Sequence, residues 1–68
     1  GAAKAVPALM EVLKDREGRV RRDAARSLGQ IGPAARPAVP LLEKLLADED
    51  RNVRLAAAAA LRRINPSR

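Results

Sequence analysis

The side chains able to take part in acid, base or ligand chemistry are few. Carboxylates stand at Glu11, Asp15, Glu17, Asp23, Glu43, Asp48, Glu49 and Asp50. There is no His, Cys, Tyr, Phe or Trp to tune or wall them. General acid–base catalysis needs a proton-transfer group poised by burial or by a partner, and no such pairing is spaced here. Ser27 and Ser67 have no base at a spacing that would activate a hydroxyl. Asp48, Glu49 and Asp50 are the densest acidic run, but they lack the ligand spacing and internal glycine of a calcium loop. Capping and turn stabilisation accounts for them better. The glycines in GQIG, residues 29–32, fall at the end of a helix, the wrong terminus for cradling phosphate. Imidazole, thiol and zinc chemistry are absent by composition. The reading is not an enzyme, with no catalytic, cofactor or metal residues and no small-molecule substrate.

The basic side chains offer a different chemistry. Fourteen Lys and Arg against eight Asp and Glu give a net charge of +6, a balance that attracts polyanions. Arg19, Arg22 and Arg26 share one helix, and Arg62 and Arg63 end another. A surface that tracks a phosphate backbone should continue along the molecule. Here Arg22 gives way to Leu55 and Arg26 to Ala59 when the chain is shifted by 33 positions, and no aromatic ring can stack on a base. Nucleic-acid binding is therefore the second reading, behind protein binding.

The elements that position these residues follow from periodicity. Residues 5–14, AVPALMEVLK, form a first helix with Pro7 in its first turn, where the missing N–H removes no bond. The helix is apolar nearly all round, which calls for neighbours on more than one face. Residues 15–18, DREG, are a turn. A second helix runs from about residue 19 to 31, its buried stripe Val20, Ala24, Leu28 and Ile31, ended by Gly32 and Pro33. A short connection leads to a third helix over residues 38–47. DEDR, residues 48–51, repeats the turn, and Asp50 is a good N-cap for a fourth helix over about residues 52–64.

Sliding the chain by 33 aligns residues 5–35 with 38–68, and 13 of those 31 pairs are identical. The matches fall at spaced core and turn positions, including Pro7 and Pro40, Asp15 and Asp48, Val20 and Val53, Arg21 and Arg54, Leu28 and Leu61. The chain is a single unit, residues 1–68, made of repeat one (5–35) and repeat two (38–68). In the last helix Arg22, Asp23, Arg26 and Ser27 become Leu55, Ala56, Ala59 and Ala60. That change turns a polar face apolar; the helix propensity of alanine is one account of it, and contact with another helix is the favoured one.

The pattern AVPxLxxxL, then Asp, then VRxxAAxxL and a closing Gly-Pro or Asn-Pro, resembles HEAT repeats, nearest the bacterial HEAT-like type also found in bilin lyases. The resemblance covers residues 5–66. It implies an all-α fold: four helices in two hairpins, stacked as a short right-handed α-solenoid with the second helix of each pair lining the concave face. It also implies a structural ladder between repeats, here Asp15, Arg21, Asp48 and Arg54. Two departures stand out, Glu17 where an Asp cap is usual and Arg62-Arg63 where repeat one has Gly29-Gln30. The function implied is a non-enzymatic protein-interaction or self-assembly scaffold. A piece of a bilin-lyase-like protein is a further alternative.

Two repeats without polar caps fall short of the three or more that solenoids usually need, and a chain of 68 residues buries only about 60% of its unfolded surface. Instability alone, or self-association through the first or last helix, is the expectation. The chain opens on Gly1 rather than Met, which reads as a piece of a longer protein or a designed chain. No signal-like segment or roughly 20-residue apolar span is present, which points to the cytoplasm.

Overall fold

The computed structural model describes residues 2–66, which are helix and turn, with no strand among them. Its α-helices are α1 (Val6–Val12), α2 (Gly18–Ile31), α3 (Val39–Lys44) and α4 (Arg51–Ile64). Short 3-10 segments occupy Ala2–Ala5, Gly32–Ala38 and Leu45–Ala47. The two long helices start within one residue of where capping and periodicity place them. The all-α reading of the sequence is the fold of the protein.

The short helices are shorter than their patterns. The first stops at Val12 because the next amides tighten: Lys14 N–H donates to the Glu11 carbonyl and Asp15 N–H to that of Val12, each at 3.0 Å. Such i to i+3 bonds satisfy end carbonyls that an α-helix leaves open. The third helix, expected over residues 38–47, is α-helical only through Lys44 and finishes as the 3-10 turn Leu45–Ala47. The short connection expected before it is itself a 3-10 segment, Gly32–Ala38, carrying Pro33 and Pro37. Gly32 opens it at φ 81°, a left-handed angle that an L side chain resists.

Caps explain how the long helices begin. The Asp50 carboxylate accepts the Asn52 N–H at 2.8 Å and starts α4. Glu17 holds the same position before α2 and makes no side-chain cap bond.

Helices α2 and α4 lie against each other over much of their length, with α1 and α3 packed on them. The largest fully buried side chains are Leu28, Leu42, Ile64 and Val53. Around them sit the buried alanines Ala24, Ala25, Ala35, Ala38, Ala57 and Ala60. With no aromatic ring to fill space, the core closes by bringing backbones together. A Cβ on Gly29 would lie 3.0 Å from Ala60 Cα, so α2 and α4 approach where glycine faces alanine.

The stripe expected on α2 needs one correction. Ala24 and Leu28 are buried, but Val20 and Ile31 are half-buried, while Arg21, Ala25 and Gly29 are buried beside them. The reason is the position of α4, which covers the Arg21–Ala25–Gly29 edge. The 33-residue counterparts Val53 and Ile64 are fully buried.

Candidate functional site

Arg21 on α2 and Asp48 in the turn before α4 form the best-defined polar contact between the hairpins. Arg21 Nε–H donates to Asp48 Oδ2 at 2.9 Å and Nη2–H to Oδ1 at 3.0 Å, a bidentate fork on a carboxylate. The side chains are 10% and 8% exposed. Arg21 Nη1–H also donates to the Asp15 carbonyl at 2.7 Å. Asp48 Oδ1 accepts the Asp50 N–H at 2.9 Å, which fixes the carboxylate before α4 begins. The hydrogen bond from Arg21 holds the Asp48 carboxyl below the usual aspartate range against the opposing effect of burial. The same bond raises Arg21 above its ordinary value. Glu49 adds a distant contact, 4.0 Å from Arg21 Nη2, on an exposed side chain.

Each Asp in the set uses its atoms in two ways, a division the residue pattern alone does not display. The carbonyl takes the arginine six positions later, and the carboxylate accepts the N–H two residues on, to which Asp48 adds the Arg21 fork. Arg54 donates through Nη1 to the Asp48 carbonyl at 2.7 Å and the Glu49 carbonyl at 3.3 Å. Among the described residues no carboxylate meets Arg54, and no arginine meets the Asp15 carboxylate, whose Oδ1 accepts the Glu17 N–H at 2.9 Å.

The remaining candidate residues do not gather at one place. Arg19 is exposed and 3.9 Å from Glu17. Arg22 is turned to its neighbour Asp23 at 3.1 Å. Arg26, four positions after Arg22 and on the same face of α2, lies on the wall of a groove of about 280 Å³ between α2 and α4. Gly29, Gln30, Ala56, Ala59, Ala60 and Arg63 complete that groove. Arg62 lines a separate hollow with Leu61, Asn65 and Pro66.

The apolar face expected on the last helix is divided. Ala56 and Ala60 are buried and Ala59 half-buried, because small side chains are what α2 admits at close range. Leu55 alone of the four is exposed, at 56%. Leu46, which the pattern did not single out, is 43% exposed. Its 33-residue match Leu13 is buried, so the repeat pattern carries no signal of this exposure.

Among the described residues no helix is long and apolar enough to cross a membrane, and no cluster of carboxylates has the grouping to hold a metal ion. Paired helices of matching pattern, joined by an arginine–aspartate contact, define a helical-repeat protein. Residues 1–62 match the family described as HEAT repeats, and the chain belongs to that family. No curated protein and no solved structure matches it. HEAT repeats in general mediate protein–protein interaction and scaffolding.

Proposed function

We propose that this chain is a non-enzymatic protein-binding scaffold whose contact surface lies on the second hairpin around Leu55. In this reading repeat one, residues 5–35, and repeat two, residues 38–68, stack as two hairpins in a short right-handed α-solenoid. The last two residues of repeat two lie outside the described residues. The observation that carries the reading is the exposure of Leu55 and Leu46, 56% and 43%, in a chain whose other leucines are buried or half-buried. Ala59, half-buried on the adjoining groove, and the exposed Arg62 and Arg63 border that surface. Exposed large apolar side chains rimmed by charge are characteristic of protein contact sites.

Polyanion binding through Arg19, Arg22 and Arg26 has less support. Two of the three sit beside carboxylates, Arg19 near Glu17 and Arg22 on Asp23, which lowers the local potential that counterion release requires.

A photoreactive side chain placed at Leu55, with a second at the exposed Arg36 as control, tests the scaffold reading in cells. The expected result is a discrete protein adduct at position 55, absent at 36 and abolished by Ala59→Glu. Equal labelling at both positions, or none at either, overturns it.

A further inference from the structure

Resting on that reading and naming its partner by chemistry, we infer that the groove between α2 and α4 takes an acidic, extended segment of another protein. Arg26 and Arg63 hold the carboxylates of that segment.

The groove lies between two helices inside the chain, and its charged lining has one sign. Arg26, Gln30 and Arg63 stand on its rim, all three exposed. No carboxylate lines it. Neither Arg26 nor Arg63 has a hydrogen-bond or ion-pair partner among the described residues. Other arginines of α2 differ: Arg19 lies near Glu17, Arg21 forks Asp48, and Arg22 is turned to Asp23. Two guanidiniums with every donor unspent, and an amide beside them, are matched by carboxylates, which accept a bidentate fork.

A glycine lets Arg63 reach across the groove. Helices α2 and α4 run in the same direction, since Gly18 lies against Asp50 and Gly29 against Ala60. A Cβ on Gly29 would sit 3.7 Å from Arg63 Cδ, so the arginine stem of α4 lies over the glycine of α2. Arg26 is three residues before that glycine, ~4.5 Å along the helix axis. The two arginines therefore serve neighbouring positions along one groove. Side chains two apart on an extended chain are ~7 Å apart, a step that two long, exposed arginine side chains cover.

The floor sets the shape of the occupant. Gly29, Ala56 and Ala60 are buried and Ala59 half-buried, so nothing on the floor is longer than a methyl group. An extended main chain fits closely on such a floor, with its acidic side chains lifted to the rim.

A phosphate backbone fits less well. The chain has no aromatic ring on which a base could stack. The floor offers small apolar groups where a phosphate-tracking surface would carry further basic ones. Along α2 the basic row is broken at Arg22, whose guanidinium is already on Asp23.

The test is a titration of the 68-residue chain with hexaglutamate, capped at both ends to remove terminal charge. The amide NMR signals of Gly29, Ala59 and Ala60 report binding. Such a peptide reaches ~20 Å when extended, the length of a 14-residue helix such as α2 at about 1.5 Å per residue. Saturable shifts are expected at those amides, weaker at high salt and absent with capped hexaglutamine. Arg26→Gln and Arg63→Gln should each weaken binding about 2- to 5-fold, and both together about 10-fold. Ala59→Leu fills the groove, keeps every charge, and should weaken binding as well. Arg36→Gln removes the same charge from an exposed position outside the groove and should bind like wild type. The same spectra show whether each variant is folded, and the arginine variants decide the matter if Ala59→Leu is not.

Unmoved signals at about 1 mM peptide overturn the inference. So does equal binding of hexaglutamine, a double arginine variant that binds like wild type, or an Arg36→Gln variant as weak as the double. A thymidine hexanucleotide that moves the same signals at lower concentration than the peptide overturns it in favour of nucleic acid. A position-55 adduct in cells that is undiminished in the double variant overturns this inference and leaves the scaffold reading standing. Peptide binding as expected, with no adduct at position 55, overturns the Leu55 surface instead.

Discussion

The Arg21 guanidinium reaches Asp48 across the two hairpins with both carboxylate oxygens engaged, at 2.9 and 3.0 Å, while its third nitrogen holds the carbonyl of Asp15. One side chain therefore ties the turn after α1, the body of α2 and the turn before α4. The pair links elements 27 residues apart. Its loss would loosen the join between hairpins before either hairpin itself.

Substitutions at Asp48 should separate its two duties. Asp48→Asn keeps a single oxygen, in the place of Oδ1, to accept from Asp50 N–H and Arg21 Nη2–H, and loses the charge and the acceptor for Arg21 Nε–H, whereas Asp48→Ala removes every side-chain acceptor. Thermal melts should rank wild type above Asp48→Asn and that above Asp48→Ala, with the alanine variant lower by at least about 5 °C. Equal melting points for the three would show that the pair does not hold the hairpins together.

Acid should weaken the fold through the same carboxyl. Asp48 binds its proton less readily folded than unfolded, because Arg21 donates to the ionised form. The stability it contributes is present above the unfolded value, about pH 4, and falls away as the pH drops toward the lower folded value. Urea unfolding followed across this range should show a steeper loss below about pH 4 in wild type than in Asp48→Asn.

The meeting of Gly29 with Ala60 predicts an exception to helix propensity. Replacing a mid-helix glycine by alanine ordinarily gains about 0.5–1 kcal/mol. At Gly29 that gain should vanish, because the added carbon would lie 3.0 Å from the Ala60 backbone. Gly29→Val should lose about 1–3 kcal/mol by overpacking. Denaturant titration of the two variants measures both, and a stabilised Gly29→Ala would contradict the close approach.

Ile31 and Ile64 make a matched comparison, since they are the same residue type at the same place in their helices. Ile64 is fully buried, and Ile64→Ala should cost about 2–5 kcal/mol, enough to unfold a chain this small. Ile31 is half-buried, and Ile31→Ala should cost about half as much or less. Equal penalties in unfolding titrations would contradict the difference in burial between the two isoleucines.

Much of this molecule is legible in its residues. The 33-residue echo, the proline-led short helices, the Asp50 cap and the Gly32-Pro33 stop mark where helices begin and end, because capping and backbone restriction act within a few residues. Family membership follows from the same local pattern. Tertiary structure decided which face each helix presents to a neighbour. Periodicity groups Val20 with Ile31 and Val53 with Ile64 alike, yet one pair is half-buried and the other fully buried, because a neighbouring helix stands on only one side of each hairpin. Ala56 and Ala60 read as an apolar surface and serve as the floor of a helix contact. Asp15 and Asp48 read as equivalents, and only Asp48 has an arginine on its carboxylate. Residue type determines what a position can bind, and the arrival of a second hairpin determines whether anything is there to be bound.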